Sequence, residues 1–206
     1  MEISYRKMKR KDFGFVQKLI SSAWYDEYGF RKSTIKHYAK VYFYECYRQS
    51  NYEIVATLEN EVIGFILGRY KSVSAFKKII TFFPLLFTAF LMIFTKEGRR
   101  GLRIGLKTDR IDESLKKETN KHFDGELKLF IVSKKYRSIG IGSKLQEDFI
   151  EYLKRKKAKN FYLYTDTYSD FAYYEKRGYV RLNTKTVDFG EGEDPLPEYY
   201  IYEKEL

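Results

Sequence analysis

The spacing of apolar and polar positions divides the chain into short strands and amphipathic helices. Ile3 to Met8 has a strand pattern. Asp12 then stands as a helix N-cap before Phe13, Val16, Leu19, Ile20, Ala23 and Trp24, an apolar stripe at helical spacing. A second helix is predicted over about Thr34 to Arg48, with Ile35, Tyr38, Tyr42 and Cys46 on one face. Glu53 to Leu58 and Val62 to Tyr70 are β-rich runs around the polar Glu59-Asn60-Glu61, a hairpin signal. Glu126 to Val132 reads as a buried strand, and a turn follows at Lys134 to Arg137. A helix from about Ile141 to Lys157 carries Leu145, Phe149, Ile150 and Leu153 on one face. Phe161 to Thr165 is a further strand. Phe171 to Arg177 is a short helix stopped by Gly178, a residue suited to the left-handed position after a helix. Tyr179 to Asn183 and Glu198 to Lys204 close the chain as strands around an acidic loop. A hairpin early and a βαβ unit late define a mixed α/β (α+β) class.

The stretch from Lys71 to Phe123 differs in kind. It holds the apolar run Ile79 to Phe94, the basic segment Lys96 to Gly101, and a charged helical pattern around Ile111 to Thr119. The run is shorter than the ~18 residues a span requires and contains Pro84, so a membrane span is not expected. A connection this long has structure or function of its own.

Composition narrows the picture. The 206 residues suit one domain over 1–206, and 44% hydrophobic with 18% aromatic content excludes disorder. Cys46 is the one cysteine, which precludes an intrachain disulfide and fits a reducing, cytoplasmic setting. The N-terminal MEISYRKMKRKDF lacks the apolar core of a signal peptide. His37 and His122, with a single cysteine, give no zinc-ligand spacing, so no metal is expected. The net charge of +11 attracts polyanions, but the basic residues are spread along the chain, and a nucleic-acid partner is not expected.

The informative segment runs from Val132 to Leu145. A strand ends, a glycine-containing loop follows, and a helix begins. Amides at a helix N-terminus lack intrahelical partners and carry partial positive charge. Gly140 and Gly142 lack a Cβ, so a phosphate can approach the backbone, and Lys134, Lys135, Arg137 and Lys144 add charge. The spacing matches neither G-x-x-x-x-G-K-[ST] nor G-x-G-x-x-G.

The ordered set Val132, Tyr136, Arg137, Gly140, Ile141, Gly142, Leu145 resembles motif A of the GNAT superfamily of acyl-CoA-dependent N-acetyltransferases. About thirty residues later, Tyr173-Tyr174-Glu175-Lys176-Arg177-Gly178-Tyr179 is similar to the family's F-Y-x-K-x-G-F motif. The resemblance implies a twisted, mostly antiparallel sheet that splays between its fourth and fifth strands, flanked by helices; the family usually joins strands three and four briefly, and residues 71–123 are expected to be a helical insertion there. It implies acetyl-CoA as acyl donor. The main chain of Ile131 and Val132 would pair with the pantetheine arm. The amides of Arg137, Ser138, Ile139, Gly140, Ile141, Gly142 and Ser143 would hold the pyrophosphate. Thr167 stands where the family often has a CoA-contacting Asn, and its hydroxyl would substitute.

An amine nucleophile must lose a proton and the departing thiolate gains one. The resemblance assigns the acid to Tyr174, a phenol protonated at neutral pH. It assigns the base to Glu126, with water chains as the alternative in many relatives. Strand periodicity places Glu126 on the face of Lys128, Phe130 and Val132. The implied activity is transfer of an acetyl group to a primary amine of a small molecule or peptide. The alternative is a non-catalytic acyl-CoA-binding module, membrane-surface associated through residues 79–94. The insertion is expected to form a lid or acceptor pocket first, a homodimer contact second and a membrane-surface attachment third. The acidic loop Asp188 to Glu198 either attracts a cationic amine or is simply solvated.

Overall fold

The structure is a computed structural model that describes residues 2–24, 31–190, 192 and 195–206. Seven strands form one sheet in the order β1 (Ser4–Lys7), β2 (Tyr52–Leu58), β3 (Glu61–Tyr70), β4 (Gly125–Val132), β5 (Asn160–Asp166), β7 (Glu198–Glu205), β6 (Val180–Thr186). Among the described residues, only β4 and β5 run parallel. The helices are α1 (Phe13–Trp24), α2 (Lys32–Arg48), α3 (Ala75–Ile93), α4 (Lys96–Glu118), α5 (Ile141–Arg155) and the single turn α6 (Ala172–Glu175). The mixed, mostly antiparallel sheet is as the resemblance implied, and the helical insertion between β3 and β4 is as the sequence predicted.

Local chemistry accounts for the early hairpin. Leu58 pairs with Glu61 across a two-residue turn, and Glu59 and Asn60 both have positive φ, 49° and 68°. That conformation matches the right-handed twist of the flanking strands. Alternate residues of β3 then serve opposite faces. Ile66 packs with Leu127, Leu145 and Phe149 under α5, whereas Phe65 and Leu67 pack with Val16, Ile20 and Phe43 under α1 and α2. At Gly68, a Cβ would lie 2.4 Å from the Phe149 ring, so the helix sits directly on the strand backbone.

Two expectations change here. Asp12 does not cap α1. Its carboxylate accepts from the Lys9 amide at 2.7 Å and pairs with Arg6, also at 2.7 Å, because the chain enters α1 through a 3-10 turn. The insertion is a two-helix hairpin rather than three separate stretches. α3 extends over 19 residues with Pro84 inside it, which makes it long and apolar enough to cross a membrane. α4 begins at Lys96, well before the pattern around Ile111, because Gly98, Gly101 and Gly105 dilute its helical signal. Thr95 caps it by accepting the Gly98 amide at 3.0 Å. A Cβ on Gly98 would stand 2.1 Å from the Met92 carbonyl, so the tight turn between the helices requires glycine.

Candidate active site

The sheet opens at one point. β4 and β5 pair only from Gly125 to Leu127 against Phe161 to Leu163. Beyond that, Leu129 to Val132 stay bonded to β3, and Tyr164 to Asp166 stay bonded to β7. The register of β3 steps from Leu67↔Leu129 to Gly68↔Leu127, so Lys128 is a β-bulge. A bulge bends its strand and ends regular pairing, and the gap starts at this residue.

The bulge also corrects the predicted facing of β4. Lys128 donates to Glu126 at 2.7 Å, and both lie on the α2 side, whereas Phe130 and Val132 pack against the cluster under α5. Simple alternation fails because one extra residue shifts the pleat by one step.

The donor loop leaves β4 through a 3-10 turn, Lys134–Tyr136, and reaches α5 at Gly140. Gly140 has φ +88° and no side chain to cap the helix, so the first-turn amides of Ile141, Gly142 and Ser143 have no intrahelical acceptor. Ser138 also takes positive φ, 65°, with Ile139 exposed beside it. Arg137 is anchored by donating from Nε to the Val132 carbonyl at 3.3 Å. Arg177 fixes the other side: it donates to Ser143 Oγ at 2.8 Å and stacks 3.7 Å from the Tyr173 ring centroid. An uncapped, glycine-initiated helix flanked by arginines fits a pyrophosphate. Gly142 has a different reason for being glycine. Its Cβ would crowd Phe130 Cζ at 3.1 Å and the Tyr173 hydroxyl at 3.3 Å. Ile131 lies in β4 opposite Phe65, and Val132 opposite Gly64, at the splayed end.

Tyr174 sits on α6 among Tyr173, Tyr179 and Tyr202. Burial, reinforced by the neighbouring tyrosine and aspartate groups, raises its pKa, so it keeps its proton at neutral pH. Tyr173 was missed by sequence reasoning. Its hydroxyl is buried beside Gly142, Ser143 and Phe130 at the donor loop. The motif named the adjacent pair, but a sequence does not say which ring turns toward β4. Thr167 accepts the Glu198 amide on Oγ1 at 3.3 Å, and its own amide donates to Glu198 O at 3.1 Å, so it clasps β5 to β7.

On the other face lies a cavity of about 500 Å³ between α2, α4, β3, β4 and β5. Its walls include Glu45, Arg69, Asp109, Asp112, Lys116, Glu126, Lys128, Tyr162 and Tyr164. Glu126 is almost fully buried, 2.6 Å from Arg69 and 2.7 Å from Lys128. Burial alone would raise its pKa, but these two cations outweigh it and hold the carboxyl below its ordinary value. A carboxylate so held is a weak proton acceptor, which goes against the base role the resemblance assigned to Glu126. Asp112 contrasts with it. Among the described residues no side-chain hydrogen bond or ion pair holds Asp112; it is half-buried in the cavity wall, and desolvation there raises its pKa well above the ordinary carboxylate value, with Lys128 opposing. Asp109, one turn away, is exposed at the cavity mouth, and the partial desolvation there raises its pKa in the same direction. The spacing Asp109, Asp112, Lys116 was visible as a helix face, but nothing in the sequence said which way it pointed.

Among the described residues, the acidic loop contributes none of this lining. Asp188 accepts the Gly190 amide at 2.6 Å and Glu198 accepts the Tyr200 hydroxyl at 2.7 Å. Glu191, Glu193 and Asp194 lie outside the described residues. No cluster of potential metal ligands occurs among the described residues.

A sheet splayed at a bulge, with an uncapped helix start beside the opening, defines a class of protein. The Acetyltransferase (GNAT) family matches residues 16–179, and the chain belongs to that family. Similar solved structures agree on the fold. PH1933 from Pyrococcus horikoshii OT3 superposes with TM-score 0.59 at 20% identity over 100% of both chains. The PaiA N-acetyltransferase from Thermoplasma acidophilum, solved with coenzyme A, gives 0.55 at 15% identity, again over 100% of both. The ribosomal-protein-S18-alanine N-acetyltransferase from Escherichia coli gives 0.55 at 12% identity over 99% of this chain and 94% of that one. No curated protein sequence matches the chain.

Proposed function

We propose that this protein transfers the acetyl group of acetyl-CoA directly to a primary amine held in the α2–α4 cavity. The observation that carries this reading is the two-sided opening at Lys128: uncapped α5 amides on the donor face, and Asp112 in the wall of the cavity on the other. In this reading the amine gives up a proton to Asp112 and attacks the thioester carbonyl. The C–S bond breaks as the C–N bond forms, and Tyr174 supplies the proton that the leaving thiolate takes. Desolvation raises the pKa of Asp112 above the ordinary carboxylate value, which makes its ionised form a stronger proton acceptor than an exposed carboxylate. Glu126 orients Lys128 and Arg69 at the cavity floor rather than moving protons.

The acceptor is a small-molecule amine or a peptide amino group. An α-amine has an ordinary pKa of about 7.7–8.0 against about 10.4 for lysine, so a peptide N-terminus demands the least of the base. Two of the similar structures, the S18-alanine enzyme and the NatC complex with Gag peptide, are associated by name with peptide or protein acceptors. The reading places the chemistry in the cytoplasm, where the buried, reduced Cys46 is at home.

The test is a panel of small amines and short peptides, followed by acetyl-CoA-dependent thiol release. Tyr174→Phe is expected to lower turnover by about 10²–10⁴-fold while coenzyme A binding persists. A wild-type protein that binds acetyl-CoA but acetylates nothing on the panel would instead favour a non-catalytic binding module.

A further inference from the structure

α3 is amphipathic in the sense opposite to a helix packed in water. The face turned to the protein carries Thr81, Thr88 and Met92, and the two threonine hydroxyls bond back to Lys77 O at 2.6 Å and Pro84 O at 2.7 Å. The face turned outward carries Phe76, Ile79, Phe83, Phe87, Phe90 and Phe94 at helical spacing, with Phe76, Phe83 and Phe94 exposed by 72%, 68% and 69%. An apolar face this extensive and contiguous marks an interaction surface.

The neighbouring helix supplies the sign of the partner's charge. On α4, Arg99, Arg103, Leu106 and Arg110 repeat at intervals of four, three and four residues, and all four are exposed. With Ile93 at the end of α3 they line one shallow cleft. Arg99 also donates to the Ile93 carbonyl at 2.7 Å, which ties the basic row to the apolar face.

We propose that α3 lies in the surface of an anionic phospholipid bilayer, with Arg103 and Arg110 on the lipid phosphates. An interfacial helix immerses one face at the boundary between headgroups and acyl chains. Basic side chains beside it gain from a negative surface potential, and guanidinium groups match phosphate oxygens in fork geometry. The helix lies on the membrane instead of crossing it. Its inner face runs along α2, and the Lys77 amine is held by the Ser50 carbonyl at 2.6 Å and by the Glu53 carboxylate. A second copy of this chain fits less well, because it would bring the same row of arginines to a molecule already at +11. The proposal is independent of the acceptor assignment above.

The experiment is co-sedimentation of the full chain with phosphatidylcholine vesicles, with and without phosphatidylglycerol. Wild-type protein is expected to pellet with the anionic vesicles. Phe83→Glu with Phe87→Glu should weaken partitioning by about a hundredfold or more. Arg103→Ala with Arg110→Ala should weaken it by about thirtyfold on anionic vesicles only. Coenzyme A binding checks that each variant is folded, and Phe83→Gln with Phe87→Gln replaces the glutamates if that pair fails to fold. Equal partitioning of wild type and the folded variants overturns the proposal. So does wild-type protein that stays in the supernatant at low salt, or that forms a dimer which the same Phe substitutions dissolve.

Discussion

α3 and α4 belong to one insertion and are joined by a single tight turn, yet they treat polarity in opposite ways. α4 turns Ile104 and Leu115 inward, lines the cavity with Asp109 and Asp112, and shows water its arginines. α3 turns threonines inward and phenylalanines outward. Both have clear helical periodicity, so periodicity reveals that a helix has two faces but not which one meets the protein. The polarity of the surrounding medium decides that. α4 obeys the rule for water. α3 breaks it with a contiguous apolar face, and monomeric soluble proteins rarely leave such patches beyond a few hundred Å².

The largest expected effect tests the inward half of this contrast. Asp112→Asn removes the proposed base and should lower kcat/KM by about 10²–10⁴-fold. In the wild type the acid limb of the kcat/KM profile should fall above the ordinary carboxylate range, since the raised pKa must be passed before the base is free. Stability should move the opposite way to activity. The folded chain holds the Asp112 proton more tightly than the unfolded chain does. Stability therefore falls as pH rises from the unfolded pKa through the folded one, and the penalty is complete above the latter. The asparagine variant escapes that penalty, so its Tm should exceed the wild type's at neutral pH. An unchanged kcat/KM would remove Asp112 from the mechanism.

Next comes the buried charge cluster beneath α4. Glu126→Ala strands Lys128 and Arg69 without their shared carboxylate, and the loss of a buried partner costs about 3–5 kcal/mol. Denaturant unfolding measures this directly. The folded charge pair is set by a depressed carboxyl, so its stabilisation is present above the unfolded pKa and is lost as pH falls through the folded one. If Glu126→Ala kept full stability and lost only turnover, Glu126 would be the base after all.

Much of this was legible in the residues. The hairpin at Glu59-Asn60, the strand over Glu126 to Val132, the glycine loop and the apolar face of α5 are local patterns, and local chemistry produces them. Gly140 in particular announces a left-handed helix start. Other features depend on contacts distant in sequence. The bulge at Lys128 follows from registering β4 on β3, so no pattern within ELKLFIV reveals it. Asp112 gains its significance from sharing a cavity with Lys128 of β4 and Tyr164 of β5, some way along the chain. The start of α4 was hidden by its own glycines, which lower helix propensity while letting the turn close. Tyr173 and Tyr174 differ by one residue, and on a single-turn helix that step sends one ring to the donor loop and the other into the tyrosine cluster.

The smallest expected effect separates the two helices most cleanly. Leu115 on α4 is fully buried against Tyr162 and Ile201, so Leu115→Ala should cost about 2–5 kcal/mol in vesicle-free buffer. Phe83 on α3 is 68% exposed, so Phe83→Gln should change the same quantity by no more than about 0.5 kcal/mol, despite removing a whole aromatic ring. A ring that contributes to a fold loses contacts when truncated, whereas a ring facing solvent loses none and gives up an unfavourable hydration. If Phe83→Gln instead destabilised the free protein by several kcal/mol, the outward face of α3 would have to be covered by protein in solution. The contrast between the helices would then reduce to one between a core and a subunit interface.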